Sequence, residues 1–533
     1  MSTRLPRLFA ITAAVVIVLG AAAVVVLVMT TPNLDVTDWR VLANAATGRG
    51  GPAAQDVTVR QRLRVPQGWG ITLYATALPK ARWLRATAAG DLLLSQPRLG
   101  RVTLLARDAD GDGQPDARHV LLEGLDRPHG MEIADGWLYV AESGAIGRVG
   151  FDESSGRITG DYQRIRSDLP AGGNHWSRTV RMGPDGWLYV SVGSSCNVCE
   201  EEHPWRASLL RLRPDGSELQ LHATGLRNSV GFDWAPWSGE LYATDNGRDL
   251  LGDDFPPCEL NRIVAGGFYG WPYANGDGIP DPDFGAANPA RRAAAIAPAH
   301  GFRAHNAPLG IVFPRHPGNV ARLGRSALVA LHGSWNRSTP DGYAVALLQW
   351  DADGTIRESA VLDGFESAGD IVGRPVDVVE AADGAFYVSD DYAGAIYRIA
   401  RQDEGKAATL DLVRSEPERA DPLAGIDAGT MAAARQTGMQ LWQRFACAGC
   451  HAPEQPAGVL LDTLRQRYDV DSLADYFLAP TAPMPTFELD AGERRALAIW
   501  LLARAADGTT DRAPRSADPV EGAPQQHAGP LVQ

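Results

Sequence analysis

A short motif that recurs six times in the middle of the chain restricts the possible folds most. Each copy is a turn followed by alternating apolar residues that favour a strand, as in Asp-Gly-Trp-Leu-Tyr-Val at 135–140 and 185–190. The copies begin at residues 90, 135, 185, 239, 325 and 383. One four-stranded blade per copy predicts a mainly-β fold, a six-bladed β-propeller over residues 55–402, and a sandwich with chance hairpins is the weaker alternative.

The spacing of the copies also indicates where function lies. Neighbouring copies are about 50 residues apart, but the fourth and fifth are separated by 86 residues. The additional residues after 244 predict large loops on one face, and loops on a rigid scaffold are where binding and catalysis concentrate.

A second motif lies near the C-terminus. Cys447 and Cys450 form a CxxC pair followed directly by His451, the attachment pattern of a c-type haem, in which the thiols bond the vinyl groups and the imidazole ligates iron. Met484, with a proline on either side, is the candidate second axial ligand. The motif predicts haem c and electron transfer. A zinc or redox CxxC, and a core methionine at 484, are the alternatives.

The residues around this motif predict a small all-α domain over 429–506. An apolar helix face leads into the motif, and Asp490 with Glu493 forms a capping-box pattern before a final helix. That face comprises Met431, Arg435, Gly438, Trp442 and Phe445. Two such helices around CxxCH resemble a class I cytochrome c.

The N-terminus indicates export. Residues 8–29 are an almost uninterrupted apolar run of about 33 Å as a helix, preceded by Arg4 and Arg7. We expect residues 1–35 to be a membrane anchor or signal segment, with an uncleaved transmembrane helix favoured and the bulk of the chain on the periplasmic side of a bacterial inner membrane. Haem attachment on that side agrees with this expectation.

Charge and composition exclude one class of partner and indicate a linker and a tail. The net charge of −14 argues against a nucleic-acid partner. Residues 403–428 are polar and acidic with scattered proline and indicate a linker, and residues 507–533 have the composition of a disordered tail.

Several loop motifs together carry a resemblance to a known family. They are Gly-Leu-Arg-Asn-Ser-Val-Gly at 225–231, Thr-Asp-Asn-Gly-Arg-Asp at 244–249, Gly-Gly-Phe-Tyr-Gly-Trp-Pro at 266–272, and Asn174-His175. The propeller is thereby similar to the soluble quinoprotein sugar dehydrogenases, in their sorbosone or pyranose dehydrogenase-like branch. The resemblance implies pyrroloquinoline quinone (PQQ) and Ca²⁺ as cofactors.

The resemblance also implies roles for individual residues. His175 would be the base that takes the proton of the sugar hydroxyl, and Arg227 and Asn228 would contact the quinone. Arg337 and Arg374 would pair with the cofactor carboxylates, and His129 would be a polar contact to the substrate.

A calcium site is implied as well. The carbonyls of Gly247 and Arg248 would hold the ion, and Asp253 would be the supporting acid, since oxygen ligands suit a hard cation. The sequence departs from the glucose-oxidising members of the family at two cofactor positions. Arg337 stands in place of a lysine, and Val376 in place of a second arginine. These differences leave the substrate open among aldoses, pyranoses and sugar aldehydes.

The resulting hypothesis is oxidation of a sugar by PQQ, followed by electron transfer to the tethered haem c and to a downstream acceptor in a respiratory chain or soluble cytochrome. The alternatives are a calcium-dependent, lactonase-like propeller hydrolase and a non-catalytic propeller that carries a cytochrome. Asp108-Ala-Asp-Gly-Asp fits a structural calcium loop or an acidic turn equally well. Cys196 and Cys199 predict a local disulfide, and Cys258 has no assigned role.

Overall fold

Six antiparallel sheets in consecutive chain order form the β-propeller of this computed structural model, which describes residues 50–402, 421–451, 461, 464–478, 480 and 484–506. The chain divides into two compact units, Met1–Arg414 and Ser415–Gln533. The predicted anchor, most of the linker and the tail lie outside the described residues. Within the described ranges no helix is long and apolar enough to cross a bilayer.

The strands of the first three blades follow the chain from the inside of the propeller outward. Blade 1 comprises β2 (Leu84–Ala86), β3 (Leu92–Gln96), β4 (Arg101–Leu105) and β5 (Arg118–Leu122). Blade 2 comprises β6 (Met131–Ala134), β7 (Trp137–Ala141), β8 (Ile146–Asp152) and β9 (Arg157–Arg166). Blade 3 comprises β10 (Val180–Met182), β11 (Leu188–Val192), β12 (Ser208–Leu212) and β13 (Gln220–Thr224), with β17 (Gly267–Phe268) added parallel to β13.

The last three blades complete the ring. Blade 4 comprises β14 (Phe232–Trp234), β15 (Leu241–Asp245), β16 (Cys258–Ile263) and β20 (His300–Phe302). Blade 5 comprises β21 (Pro308–Val312), β22 (Ser326–Leu331), β23 (Ala344–Trp350) and β24 (Ile356–Leu362). Blade 6 comprises β27 (Pro375–Glu380), β28 (Phe386–Asp390) and β29 (Ala395–Arg401), with β1 (Trp69–Ala75) as its outer strand.

The six-bladed propeller is confirmed, and each recurrent motif becomes the second strand of a blade. These strands are β3, β7, β11, β15, β22 and β28, and their apolar residues are almost all buried between neighbouring blades. The N-terminal β1 pairs antiparallel with β29, with Trp69 opposite Arg401 and Leu73 opposite Tyr397. The last blade therefore takes its outer strand from the start of the domain, which closes the ring without an open edge.

Short elements decorate this scaffold. Two-stranded ribbons are formed by β18 (Ala274–Asn275) with β19 (Ile279–Pro280) and by β25 (Glu366–Ser367) with β26 (Asp370–Ile371). The helices are α1 (Asp56–Arg62), α2 (Pro289–Ala293) and α3 (Pro317–Leu323). The additional residues after β15 thus form loops, β17, the ribbon of β18 with β19, and α2 rather than another blade.

Charged side chains line one end of the central channel. Each blade contributes at least one of them to a cavity of about 710 Å³, and six of them alternate between arginine and a carboxylic acid around the ring: Arg85, Glu132, Arg181, Asp233, Arg315 and Asp377. Burial raises the pKa of Asp377 to about 7. Arg85 pairs with Glu132, and Arg181 lies 3.5 Å from Glu132 and 3.1 Å from Asp233. Arg315 pairs with the other side of Asp233 at 2.8 Å. We refer to these six residues as the charge ring.

The described part of the C-terminal unit contains helices and no strand. They are α4 (Ala428–Arg444), α5 (Ala448–His451), α6 (Leu464–Arg467), α7 (Val470–Tyr476) and α8 (Ala491–Ala506). The predicted capping box forms, with Asp490 Oδ1 accepting from the Glu493 amide at 2.8 Å and Glu493 from the Asp490 amide at 3.0 Å. Gly438 permits close packing of α4 on α8, because a Cβ there would lie 2.4 Å from Trp500 Cβ.

Candidate active site on one face of the propeller

The predicted site residues of the propeller all lie on one face. In an antiparallel blade the start of the first strand and the end of the second lie at the same edge. His129, His175, Arg227–Asn228 and Arg374 precede the first strands of blades 2, 3, 4 and 6. Gly247, Arg248 and Asp253 follow the second strand of blade 4, and Arg337 follows that of blade 5. The charge ring lies at the opposite edge.

His175 is held in one orientation by the loop after β11. Its Nδ1 lies 2.8 Å from Ser194 Oγ and 3.1 Å from the Ser194 carbonyl oxygen. Because the Ser194 hydroxyl donates its hydrogen to the Cys196 carbonyl at 2.7 Å, we assign the hydrogen on the His175 ring to Nδ1. This tautomer leaves the lone pair on Nε2.

The electrostatic surroundings keep His175 neutral. Burial lowers its pKa well below the ordinary histidine value, and the guanidinium of Arg227 lowers it further. A neutral imidazole with an available Nε2 lone pair is the form that can accept a proton.

Asn228 approaches His175 over a glycine. A Cβ at Gly193 would lie 2.6 Å from His175 Cβ and 2.8 Å from Asn228 Oδ1, so a larger residue cannot stand between the two loops without displacing them. Asp245 fixes the partner loop by accepting from the backbone amides of Arg227 at 2.9 Å and Asn228 at 2.5 Å. His175 and the Arg-Asn pair are therefore brought together as the sequence predicted.

The guanidinium of Arg227 has protein acceptors for all five of its N–H donors. Nε donates to the Asn197 carbonyl at 2.9 Å, and Nη2 to Asn197 Oδ1 at 2.8 Å and to Asp249 Oδ2 at 2.9 Å. Nη1 donates to the carbonyls of Asn246 at 3.0 Å and Gly247 at 2.7 Å. In this conformation Arg227 joins two loops, and its charge acts on the site at a distance. Arg227 could donate a hydrogen bond to a quinone only if it released one of these protein acceptors.

Two of the groups predicted to hold calcium have protein partners in this conformation. The Gly247 carbonyl accepts from Arg227 Nη1 at 2.7 Å. The Arg248 side chain forms a buried ion pair with Asp281 at 2.7 Å, and its carbonyl as a calcium ligand stays a prediction. The carboxylate of Asp253 accepts from the Ser338 amide at 3.0 Å and from the Ser338 hydroxyl. No step below is therefore assigned to calcium.

A large cavity opens on the same face, next to this cluster. It has a volume of about 690 Å³ and is lined by Lys80, Arg82, Pro97, Arg98, Arg127, Trp176, His332, Arg374, Asp391 and Tyr392. Five lining residues carry a positive charge and one a negative charge. We call it the basic cavity. It suits a polyanionic ligand of small-molecule size.

An ion-pair network organises one wall of the basic cavity. Asp391 Oδ1 lies 2.9 Å from His332 Nε2, and its Oδ2 lies 2.9 Å from Arg82 Nη1. Burial alone would raise the pKa of Asp391, but His332 and Arg82 outweigh it and hold the pKa below its usual range. Burial and Arg374 lower the pKa of His332 to about 4, so a neutral His332 donates to an ionised Asp391.

Two arginines and a tryptophan form another wall. The guanidinium carbons of Arg82 and Arg127 lie 6.0 Å and 5.8 Å from the centre of the Trp176 ring. Trp176 follows His175 directly in the chain, so this residue connects the cavity wall with the candidate base. His175 itself does not line the cavity.

The remaining predicted residues differ in position. Arg374 lines the basic cavity, with Nε and Nη2 donating to the carbonyls of His332 at 3.0 Å and Gly333 at 2.6 Å. Arg337 does not line it. Its guanidinium donates to the carbonyls of Asp253 and Ala304, which gives it the role of a loop brace in this conformation.

His129 is fully buried behind the wall rather than exposed to a ligand. Its ring centre lies 4.9 Å from that of Trp83 and 5.8 Å from that of Trp176. Burial lowers its pKa well below the ordinary value, and Arg82 adds to the effect. Its Nε2 has no hydrogen-bond partner within the described part of the chain. A direct substrate contact from His129 would need Trp176 to move.

Sequence reasoning missed most of the cavity lining, including Arg82, Arg127, His332 and Asp391. The sequence does contain a pattern that could have identified these arginines. Arg82, Arg127, Arg227 and Arg374 each lie one to five residues before the first strand of a blade. The predicted disulfide does form between Cys196 and Cys199, and Cys258 is a free, buried thiol at the start of β16.

The C-terminal unit has a candidate site of its own. Cys447, His451 and Met484 line one apolar cavity, together with Trp442, Leu461, Leu464, Tyr468, Leu473, Tyr476, Phe477, Leu497 and Leu501. The centre of the His451 ring lies 6.0 Å from that of Trp442. A thiol, an imidazole and a thioether in one apolar cavity are compatible with a c-type haem, and the haem stays a prediction. The side chain of Cys450 lies outside the described part of the structure.

The Asp108–Asp116 segment forms a turn whose carboxylates approach each other. Ligand atoms of Asp108, Asp110 and Asp116 lie within 4.8 Å of one another. Both Asp108 oxygens accept from backbone amides, of Gly111 at 2.8 Å and Gly113 at 2.9 Å. A structural calcium at this turn stays a prediction.

Fold and site define a propeller with a basic small-molecule cavity beside a half-buried, neutral histidine. The chain belongs to the TrAA12-like family, whose model matches residues 63–255 and 286–402. It is 26% identical over 419 residues to the pyrroloquinoline quinone-dependent pyranose dehydrogenase of Coprinopsis cinerea, over 64% of this chain and 55% of that protein. It is 29% identical over 371 residues to an uncharacterized protein of Borreliella burgdorferi, over 65% of this chain and 92% of that protein.

Solved structures agree with the fold. The holo form of the pyranose dehydrogenase PQQ domain from Coprinopsis cinerea superposes with a TM-score of 0.54 at 22% identity, over 66% of this chain and 99% of that one. A carbohydrate-active enzyme of family AA12 from Trichoderma reesei gives a TM-score of 0.55 at 22% identity, over 64% of this chain and 98% of that one. At this identity the structural likeness supports the propeller fold alone.

Proposed function

We propose that the propeller is a PQQ-dependent dehydrogenase that oxidises a sugar, an aldose, pyranose or sugar aldehyde, on the face that carries His175. The observation that carries the proposal is the basic cavity, in which five cationic side chains and one carboxylate surround about 690 Å³. A tricarboxylate cofactor needs such a surplus of positive charge, whereas a hydrolase without that cofactor has no use for it.

Specific residues are suited to hold the cofactor. Arg374 and Arg82 are both oriented by protein acceptors, which lowers the entropic cost of binding a carboxylate. Trp176 offers an aromatic face beside these cations. When bound, PQQ supplies the oxidant, a two-electron acceptor.

The chain supplies the proton acceptor. Oxidation of a hydroxyl to a carbonyl removes two electrons and two protons. In this proposal His175 Nε2 takes the hydroxyl proton, and the two electrons with the second proton, together a hydride, would pass to PQQ. The neutral state of His175 is maintained by burial and by Arg227, and its orientation by Ser194. An oriented, neutral ring is the state in which a histidine can accept a proton, and this supports His175 as the base.

The C-terminal unit would receive the electrons through haem c. Cys447 would supply a thioether, as would Cys450 by sequence, and His451 and Met484 would be the axial ligands. The Met/His pair favours a high reduction potential, which suits an acceptor. Covalent linkage to the propeller raises the effective concentration of the haem. We further propose export to the periplasmic side, with residues 8–29 as the anchor and a respiratory chain or soluble cytochrome downstream.

A turnover assay tests the propeller part of the proposal. The purified protein is loaded with PQQ, with and without Ca²⁺, and an artificial electron acceptor is reduced in the presence of a panel of aldoses, pyranoses and sugar aldehydes. We expect turnover with at least one sugar, and a loss of about 100-fold or more in kcat for His175→Gln. Turnover of the variant at the wild-type rate would contradict the proposal. Cleavage of a lactone without acceptor reduction would favour the hydrolase.

A further inference from the structure

The loop that follows β11 joins the segments of the candidate site. It contains the disulfide Cys196–Cys199, which closes a short ring around Asn197 and Val198. Ser194 and Ser195, just before the ring, bond to the loop that carries His175. Asn197, inside the ring, bonds to the loop that follows β15. None of these roles was evident from the CxxC pattern, which indicated only a local disulfide.

Asn197, inside the disulfide ring, is the main partner of Arg227. Its carbonyl accepts from Arg227 Nε at 2.9 Å and from Trp271 Nε1 at 3.3 Å. Its side-chain Oδ1 accepts from Arg227 Nη2 and from the Asp249 amide, both at 2.8 Å. Its Nδ2 donates to the Asp249 carbonyl at 3.1 Å. One residue thus fixes the guanidinium and the following loop together.

Cys196 reaches His175 through a single hydroxyl. The Cys196 carbonyl accepts the hydrogen of Ser194 Oγ at 2.7 Å, and Ser194 Oγ in turn lies 2.8 Å from His175 Nδ1. While this carbonyl holds the hydroxyl hydrogen, Ser194 can only accept from His175. The Ser194 carbonyl, 3.1 Å from Nδ1, can likewise only accept, so the Cys196 and Ser194 carbonyls together favour the hydrogen on Nδ1.

The flank of the ring is braced by Glu201. Its Oε1 accepts from the Ser195 amide at 2.6 Å and its Oε2 from the Ser195 hydroxyl at 2.8 Å. The Ser195 carbonyl accepts from the amide of Asn174, the neighbour of His175, at 2.8 Å. While the disulfide is intact, a displacement of this loop breaks several of these hydrogen bonds at once.

We propose that the Cys196–Cys199 disulfide is a positioning element for the reaction: it holds His175 in the tautomer with a free Nε2 and Arg227 beside it. The inference rests on the proposed function. Reduction by a dithiol cleaves the S–S bond, giving two protein thiols and a cyclic disulfide of the reductant, and two electrons move to the protein sulfurs. The open ring releases the Cys196 carbonyl. The Ser194 hydroxyl is then free to donate to His175 Nδ1, and the opened loop draws the Ser194 carbonyl away from this nitrogen. The ring hydrogen moves to Nε2, which removes the proton acceptor.

The test compares the intact and opened ring in the full-length holoprotein. The protein is treated with dithiothreitol, alkylated with iodoacetamide and freed of reagent before PQQ is added, so that PQQ does not meet the reductant, and the haem is reoxidised before the assay. We expect kcat for sugar oxidation to fall at least about tenfold, with the KM for sugar and the affinity for PQQ changing by less than about threefold. The double variant Cys196→Ser/Cys199→Ser should behave like the opened protein without any treatment.

Two controls separate this effect from loss of folding. Cys258→Ala keeps the disulfide and should respond to reduction as the wild type does, which assigns the effect to the ring. Thermal unfolding of opened protein should remain cooperative. Reoxidation before alkylation should restore kcat, whereas irreversible damage would not be restored. An opened ring with unchanged kcat overturns the inference.

A second readout does not depend on turnover. In ¹⁵N-histidine-labelled protein, with His175→Gln for assignment, the ring-nitrogen shifts report which nitrogen carries hydrogen. We expect Nδ1–H in the disulfide form and a shift of population to Nε2–H after reduction. The same tautomer in both forms overturns the inference, even if the protein oxidises every sugar. If instead no sugar is oxidised while the tautomer changes, the proposed function has failed and the positioning role stands.

Discussion

Ser194 Oγ lies 2.8 Å from Nδ1 of His175, in a contact that fixes which nitrogen of the candidate base is free. The serine is oriented from behind by the Cys196 carbonyl, so the histidine cannot exchange tautomers without a change in the loop. Burial and the charge of Arg227 keep the ring neutral. Orientation and charge state are thus set by different neighbours, and each can be altered separately.

The pH dependence of sugar oxidation should reflect the lowered pKa of His175. A histidine with an ordinary pKa of about 6.5 would lose half of its base form at that pH. Because the pKa of His175 lies well below this value, kcat/KM should stay nearly constant as the pH falls from about 8 to about 6. Steady-state rates across this range are the measurement. An acid limb with an apparent pKa at or above about 6.5 would contradict the assignment.

Removing the charge of Arg374 should weaken PQQ binding. The charged group lines the basic cavity, and a hydrogen bond to a charged group contributes about 1.5–3 kcal/mol, so Arg374→Met should raise the Kd about 10- to 150-fold. Titration of apoprotein with PQQ, followed by fluorescence, measures this. Arg262→Met is the matched control, because Arg262 is exposed and pairs with Glu240 away from the cavity. Equal affinities of the two variants would show that the cofactor binds elsewhere.

The buried carboxyl of Asp390 should make the propeller less stable as the pH rises. Burial raises its pKa to about 7, and the neighbouring Asp391 adds to the effect. The folded state therefore binds a proton that the unfolded state, with a pKa of about 3.9, releases between about pH 4 and pH 7. The free energy of unfolding should decrease across that window, by up to about 4 kcal/mol for this group.

Asp390→Asn should flatten that decrease. An amide can still accept at Oδ1 from the amides of Arg374, Tyr392 and Ala393, and its NH₂ can donate to the Tyr397 hydroxyl. Urea unfolding at about pH 5 and pH 8 measures the difference for wild type and variant. Asp168→Asn, at an exposed ion pair with Arg166, should leave it unchanged. If the free energy of unfolding instead rises from about pH 5 to about pH 8 by the same amount in the wild type and in Asp390→Asn, the explanation is refuted.

The charge ring should be sensitive to the loss of a single member. Arg181→Met leaves Glu132 with Arg85 and Asp233 with Arg315, but removes the cation between them. Breaking such a buried network costs about 3 kcal/mol or more. Denaturant unfolding of Arg181→Met against Arg262→Met measures this. Equal stabilities would mean that Arg181 makes no net contribution to the ion-pair network of the ring.

Met484 should determine the potential of the proposed haem. Met484→Ala removes a thioether from the apolar cavity of the C-terminal unit and should lower the reduction potential, while leaving covalent attachment through the cysteines intact. Spectroelectrochemistry of the purified protein is the measurement. Met439→Ala is the control, because Met439 is exposed on α4. An unchanged potential in Met484→Ala would assign Met484 to the core instead.

The parts of the fold that could be predicted are those with a local signal. The turn-plus-strand motif marks the second strand of every blade because that strand is buried on both sides and begins at a tight turn. The outer strand β1 carries no such motif, and its partner β29 is more than 300 residues away in the chain. Its place in blade 6 follows from closure of the ring, which the local sequence does not encode.

The same distinction applies to the site. His175 and Asn228 were predicted because they lie in recognisable loop motifs, and the structure brings them together. Arg82 and Asp391 meet only because blades 1 and 6 become neighbours when the ring closes. Arg337 was assigned to the cofactor by resemblance alone. Its partners, the Asp253 and Ala304 carbonyls, belong to distant loops, and the sequence carries no sign of them.

The most direct test of the account is an absorbance spectrum of the haem in the full-length protein loaded with PQQ, before and after addition of a sugar. If electrons pass from the sugar through PQQ to the haem, the haem bands become those of the reduced form when PQQ and an oxidisable sugar are both present. The haem remains oxidised when either is omitted or when His175 is replaced by glutamine. A haem that ascorbate reduces but that no sugar reduces, in protein shown to contain PQQ, would contradict the account.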